Sequence, residues 1–210
     1  MVQLIIARHG NTFGPEDTPT RVGARTDLPL VESGRAQAIA IGQWLDANKI
    51  KPDIIYTSQL QRTIETAKIA LNQAQIDCSV YQHSMFNEID YGPDENQPEE
   101  AVIKRIGAQA LQDWDQKAIV PPGWKFDLLA CINQWHDFAK QMLMGGYQTV
   151  LVVTSNGTAR FAPHITGDFD GFSNAHAIKL STGALGILDY ADGQWVVQGW
   201  NIRPDIKALD

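Results

Sequence analysis

The chain has 210 residues, 44% of them apolar and 20% charged, with a formal net charge of −7. That length can bury a sizeable core, and the lack of any basic run argues against nucleic acid as the main partner. No stretch nears the ~18 apolar residues of a membrane span, no basic leader opens the chain, and Cys78 and Cys131 form no CxxC pair or disulfide framework, so a reduced cytoplasmic protein is expected.

Leu4–Ala7 is a short apolar run that reads as an inner strand of a parallel sheet, and it stops at Arg8-His9-Gly10. In open α/β sheets, ligands sit at the carboxyl ends of strands. Arg8 offers a planar fork of donors suited to phosphate, and Gly10 lets the backbone approach closely. His9 is suited to act as nucleophile, general base or metal ligand. Residues 13–31 have loop composition and carry Arg21 and Arg25, which could face an anion or simply remain solvated. Residues 32–48 predict a helix with Ser33 as N-cap and Ala36, Ile39, Ala40, Trp44 and Leu45 on its apolar face. A second inner strand is predicted at 53–57. The helix that follows, to about Asn72, carries Arg62 in its first turn, where free amides and a guanidinium make a phosphate seat.

Residues 76–82 read as a third strand. The loop after it holds Glu88 and Asp90, which are candidate general acids or ordinary turn residues. Residues 93–125 read as a lid-like insertion with a helical stretch around 98–114; Trp114 and Trp124 either line a pocket or pack that helix. An amphipathic helix spans 126–145 and ends at Gly145-Gly146, with His136 on its surface. Thr149–Thr154 is the most apolar strand, and it ends in Ser155-Asn156-Gly157-Thr158 and a helix through Phe161. Three final strands are predicted at 176–180, 183–189 and 194–200, with a hairpin turn at Asp192-Gly193. His164 and His176 fall in or beside loops, and no HExxH-like spacing occurs, so no metal site is expected. The alternation of strands and helices indicates one α/β domain over 1–210, a three-layer α/β/α sandwich whose mostly parallel sheet has an antiparallel edge.

If the strand ends are adjacent, two arginines, one histidine and one acid converge on a small volume. Such a set suits phosphoryl transfer from a monoester. Arginines neutralise the phosphate and the charge of the transition state, a neutral His9 attacks phosphorus to give phosphohistidine, and an acid protonates the leaving alcohol. With guanidinium groups in that role, neither Mg²⁺ nor another cofactor is required.

Four segments in order then resemble the histidine phosphatase superfamily, the phosphoglycerate-mutase-like proteins, over most of the chain. Arg8-His9-Gly10-Asn11-Thr12 matches the R-H-G-x-T motif, and Gly23 to Arg35 matches the segment that follows it. Ser58 to Ala67 matches S-x-L-x-R-x-x-x-T-A, and Glu88-Ile89-Asp90-Tyr91-Gly92 matches E-x-D-x-G. The resemblance implies that His9 is the phosphorylated nucleophile, that Arg8 and Arg62 bind phosphate, and that Glu88 rather than Asp90 is the proton donor. Asn11 and Thr12 would sit beside the pocket.

One position departs from the pattern. Where the family has S-H-G after a late strand, this chain has Ser155-Asn156-Gly157. Asn156 would bind a phosphate oxygen, with Gly157 beside it, but without a positive charge; the loss of a charge-assisted donor amounts to about 1.5–3 kcal/mol, or roughly ten- to a hundredfold in rate. The insertion carries Asp94, Glu95, Glu99 and Glu100, which disfavours a bisphosphorylated substrate and favours a phosphatase over a glycolytic mutase. The expected partner is thus a small phosphorylated substrate. A phosphoglycerate-mutase-type phosphotransferase and a non-catalytic relative that binds a phospho-ligand or a protein are the alternatives. Edge strands and apolar helix faces would permit a homodimer, although no residue pattern demands one.

Overall fold

A computed structural model describes residues 1–206. The last four positions of the expected 1–210 domain lie outside the described residues. Six strands form one sheet: β1 (Val2–Arg8), β2 (Ile54–Thr57), β3 (Val80–Gln82), β4 (Thr149–Thr154), β5 (Leu185–Ala191) and β6 (Gln194–Ile202). Their spatial order is β3-β2-β4-β1-β5-β6. The first four run parallel, and β5 and β6 form the antiparallel edge.

The period of two along the inner strands explains the layers. Leu4 and Ile6 of β1, with Val150 and Val152 of β4, face one hydrophobic cluster, while Ile5, Ala7, Leu151 and Val153 face the other. The second cluster is closed by α1 (Glu32–Ala47) and α2 (Gln61–Gln73), through Ile41, Leu45, Ala67 and Leu71. The first is closed by α5 (Leu128–Met144), through Trp135, Phe138 and Met142, and by a short turn of 3₁₀ helix over 162–166. The expected α/β/α sandwich is therefore what the chain forms. No helix among the described residues is long and apolar enough to cross a membrane.

Several boundaries differ from the sequence expectation, each for a local reason. Only Val80–Gln82 of the 76–82 segment pairs, because its neighbour β2 offers just four residues. The helix expected around 98–114 is two helices, α3 (Glu99–Ile106) and α4 (Ala108–Lys117), broken at Gly107, whose φ of 83° no helix can hold. Ser33 does not cap α1: that helix starts at Glu32, and the Ser33 hydroxyl accepts from Asn11 Nδ2 instead. Residues 176–180 are not a strand. Buried Ile178 and Leu180 alternate with exposed Ala177 and Lys179, which mimics one, but both flanks of β5 are already taken by β1 and β6. A short helix that the sequence did not suggest, α7 (Phe169–Ala175), precedes this loop. The hairpin at Asp192-Gly193 forms as expected, with φ of 53° and 85°.

Candidate functional site

Parallel pairing aligns the strand ends. Arg8 at the end of β1 is in register with Thr154 at the end of β4, and Thr57 of β2 with Val153. The residues just beyond, His9, Ser58 and Ser155, therefore emerge side by side. Of these, His9 lines a cavity of about 960 Å³.

His9 is almost fully buried, and its hydrogen bonds define its tautomer. Nε2 lies 3.2 Å from Nε of Arg62, a group that can only donate, so Nε2 carries a lone pair. The proton then belongs on Nδ1, which donates to the Gly10 carbonyl at 2.7 Å. Burial holds the imidazole well below its ordinary histidine range, and the Arg62 and Arg8 charges push it the same way. His9 is a neutral imidazole whose Nε2 lone pair is held by the Arg62 Nε–H.

Arg62 is fully buried in the first turn of α2. Its other nitrogens donate to the carbonyls of Thr26 at 2.9 Å and Gly23 at 3.3 Å, which ties the 13–31 loop over the site. Thr66, one turn further along, accepts from the Gly10 amide at 3.1 Å. Arg8 donates from Nη1 to the Leu180 carbonyl at 2.7 Å, and its buried Nε has no partner among the described residues. Leu180 also serves Asn156, donating its amide to Oδ1 at 2.9 Å. That bond assigns the Asn156 carboxamide and leaves its Nδ2 donors for the cavity that the residue lines. The 176–180 segment, expected as a strand, thus braces two phosphate-binding candidates at once through Leu180.

Glu88 also lines the cavity. Each carboxylate oxygen takes one backbone amide, Ile89 at 2.9 Å and Gly157 at 3.2 Å. A Cβ on residue 157 would stand 2.0 Å from Oε1, so the carboxylate can approach only because the residue is glycine. Gly157, expected beside the phosphate, is directed at Glu88 instead. Asp90 is a separate case: it pairs with Arg25 at 3.1 Å and accepts the Gly92 amide. Burial raises its carboxyl, but those hydrogen bonds outweigh it and hold it below the ordinary range. Asn11 and Thr12 line the cavity, although the Asn11 side chain is already engaged by Ser33 and Thr182.

The two loop arginines separate. Arg21 lines the cavity, and Arg25 belongs to the Asp90 pair. Of the insertion's acids, Asp94 and Glu95 are internal ties. Asp94 is held by Arg105 and by Trp124 Nε1, while Glu95 accepts from the Gly23 and Arg25 amides and the Thr26 hydroxyl. Glu99, Glu100 and Asp115 reach the cavity. Trp114 lines it too, whereas Trp124 packs edge-on against Trp114 at 5.2 Å. Sequence reasoning missed Arg160, Tyr91, Lys179 and Asp115 on the cavity wall. For Arg160 a signal existed, since it stands four residues after Asn156, one helical turn along α6 (Asn156–Ala159) and its cap.

The family model of the histidine phosphatase superfamily (branch 1) matches residues 4–203. The chain belongs to that superfamily. A 2,3-bisphosphoglycerate-dependent phosphoglycerate mutase from Bartonella quintana is 36% identical over 161 residues, 75% of this chain and 77% of that protein. Phosphoglycerate mutase 1 of Saccharomyces cerevisiae is 30% identical over 58% of this chain, which spans about half (49%) of that relative's length. Among solved structures, a mycobacterial glucosyl-3-phosphoglycerate phosphatase superposes with a TM-score of 0.78 over 96% of this chain and 99% of its own, at 17% identity. That last likeness speaks for the fold alone. The superfamily's phosphatase and mutase members agree with the phosphoryl-transfer class expected from the strand ends.

Proposed function

We propose that the protein is a phosphoric monoester hydrolase working through a phosphohistidine on His9. The observation that carries this reading is the neutral, buried imidazole whose Nε2 lone pair faces a guanidinium. A nucleophile that never has to lose a proton before attack suits that position.

The substrate phosphate enters between Arg8 and Arg62, where the unpartnered Arg8 Nε and the Nε of Arg62, released from His9, donate to its oxygens. Asn156 Nδ2 adds a neutral donor. His9 Nε2 attacks phosphorus; the N–P bond forms as the P–O bond to the alcohol breaks, and Glu88 delivers its proton to the departing oxygen. Water then attacks the phosphohistidine, the N–P bond breaks, and the water's proton returns to Glu88. Charge neutralisation by guanidinium groups lets the cycle run in the presence of a chelator. The single domain has the 93–125 insertion as its lid-like wall, and the partner is a small phosphorylated molecule.

The mutase-type reading has one observation in its favour, the 36% identity to a 2,3-bisphosphoglycerate-dependent mutase. Against it, the cavity wall sets Glu88, Glu99, Glu100 and Asp115 against Arg8, Arg21, Arg160 and Lys179, which leaves little basic excess beyond buried Arg62 for a bisphosphate. Hydrolysis of p-nitrophenyl phosphate with EDTA present tests the proposal. Release of inorganic phosphate is expected, and His9→Ala should lower it by about four orders of magnitude or more. Phosphate release that His9→Ala leaves intact would end this reading, and transfer to phosphoglycerate outrunning release would favour the mutase.

A further inference from the structure

The direction in which Arg62 points is set by its two terminal nitrogens, which donate to the carbonyls of Thr26 and Gly23 at 2.9 and 3.3 Å. Those carbonyls belong to the 13–31 loop, which contains no helix or strand of its own. What fixes them lies on the far side of the turn. Glu95 Oε1 accepts from the Gly23 amide at 3.1 Å, the Arg25 amide at 3.0 Å and the Thr26 hydroxyl at 2.8 Å. Its Oε2 accepts from the Tyr91 amide at 3.2 Å.

The two residues whose carbonyls hold Arg62, Gly23 and Thr26, are the same two that give Glu95 an amide and a hydroxyl. An N–H turned toward an anion and a C=O turned toward a cation are both favourable. The turn is therefore polarised between carboxylate and guanidinium, and the bonds at each end strengthen those at the other. The fit is close: a Cβ on residue 23 would stand 2.2 Å from Glu95 Oε2 and 2.7 Å from the Ile89 carbonyl. Other ties hold other parts of the loop. The Ala24 amide donates to the Ile89 carbonyl at 3.0 Å, the Arg25 side chain pairs with Asp90, and Arg21 exchanges backbone bonds with Asn96 and Gln97.

We propose that Glu95 is a positioning residue for Arg62. Through the 23–26 turn it holds the guanidinium so that Nε can leave His9 Nε2 and donate to a phosphate oxygen while both terminal nitrogens stay in place. The inference deepens the proposed function and rests on its assignment of Arg62 to phosphate. Glu95 does not line the cavity, so it acts on a bound anion from behind the turn. The sign of its effect separates positioning from simple charge. By charge alone, removing a carboxylate near an anion seat tightens anion binding. Loss of positioning weakens it.

Titration calorimetry of the full chain with inorganic phosphate tests this without needing turnover, with thermal melts to establish that each variant is folded. Glu95→Ala should weaken phosphate binding about tenfold. Glu95→Gln, which keeps an acceptor at Oε1, should recover part of that loss, and Thr26→Val, which removes only the hydroxyl bond, should weaken binding about threefold. On an Arg62→Lys background, which lacks the planar fork, Glu95→Ala should cause no further loss. A folded Glu95→Ala protein that binds phosphate as tightly as the native chain, or more tightly, overturns the positioning role while leaving the phosphate seat standing. An equal loss on the Arg62→Lys background overturns its action through Arg62. If Glu95→Ala does not fold, Thr26→Val decides on the same terms, and native-like binding there overturns the proposal. A native protein that binds no phosphate overturns the seat and the positioning role together.

Discussion

The cavity has a floor and a wall, and they are built differently. The floor, at the ends of β1, β2 and β4, is buried: His9, Arg62, Ser155 and Asn156 are each under one-tenth exposed, and each hydrogen-bonded side chain there answers to a backbone group or to its neighbour. The wall, from the 13–31 loop, α3, α4 and the 176–183 loop, carries charges that meet in loose pairs with at least one partner half-exposed or exposed, such as Glu99 with Arg21 at 3.9 Å and Asp115 with Lys179 at 3.3 Å. A dry, pre-set floor strengthens every charge interaction and suits bond-making. A wet wall of exchangeable pairs contributes little to stability and is free to read a substrate.

Substitutions on the floor should therefore cost turnover, and those on the wall should cost selectivity. The largest effect after loss of His9 itself is expected for Glu88→Gln. With an alkyl phosphate, whose alkoxide is a poor leaving group, kcat should fall about 10²–10⁴-fold. With p-nitrophenyl phosphate, whose leaving group needs no proton, the phosphorylation step should be far less affected, as single-turnover kinetics would reveal. Equal losses with both would move the acid elsewhere.

Asn156→Asp comes next. The aspartate retains an acceptor for the Leu180 amide, so the fold should tolerate it, but it brings a negative charge to the phosphate. We expect kcat/KM to fall roughly ten- to a hundredfold with little change in melting temperature. A collapse in stability instead would make Asn156 a brace and not a phosphate donor.

The smallest effect is on stability and lies behind the wall. Asp94 is buried beneath Arg105, and although burial raises its carboxyl, the hydrogen bonds from Arg105 and Trp124 outweigh it and hold it below the ordinary range. A carboxyl depressed in the folded state stabilises above its unfolded pKa, and that contribution is lost as pH falls through the folded value. Arg105→Ala should destabilise by about 2 kcal/mol at pH 7, and the gap from the native protein should narrow below about pH 4. Thermal melts across pH check both the size and the sign. Activity should follow stability here, without a selectivity change.

The same division governs what could be read from the chain. Arg8, His9 and Arg62 were legible because each ends or follows a strand or opens a helix, where an apolar run stops abruptly at a charged residue, whereas Glu88 was singled out from Asp90 by the resemblance to the superfamily. The sandwich was legible from the alternation of apolar strand runs with amphipathic helices along the chain. The wall was not. Asp115 and Lys179 meet across 64 residues of sequence, and nothing local announces the encounter. Asp94 and Glu95 look like a solvated acidic loop, yet tertiary contacts turn them inward as acceptors for Arg105 and for the 23–26 backbone. The loop at 176–180 has a strand's alternation without a free strand edge to pair with, and its backbone is spent on Arg8 and Asn156.

The central claim is that the imidazole of His9 carries the phosphoryl group in mid-cycle. The most direct test is a rapid quench of the protein with labelled p-nitrophenyl phosphate in EDTA, followed by peptide mapping under alkaline conditions, which preserve phosphohistidine. The account predicts label on His9, bonded through Nε2, with formation and decay rates that match turnover. Turnover without label on His9, or with label on any other residue, would contradict it.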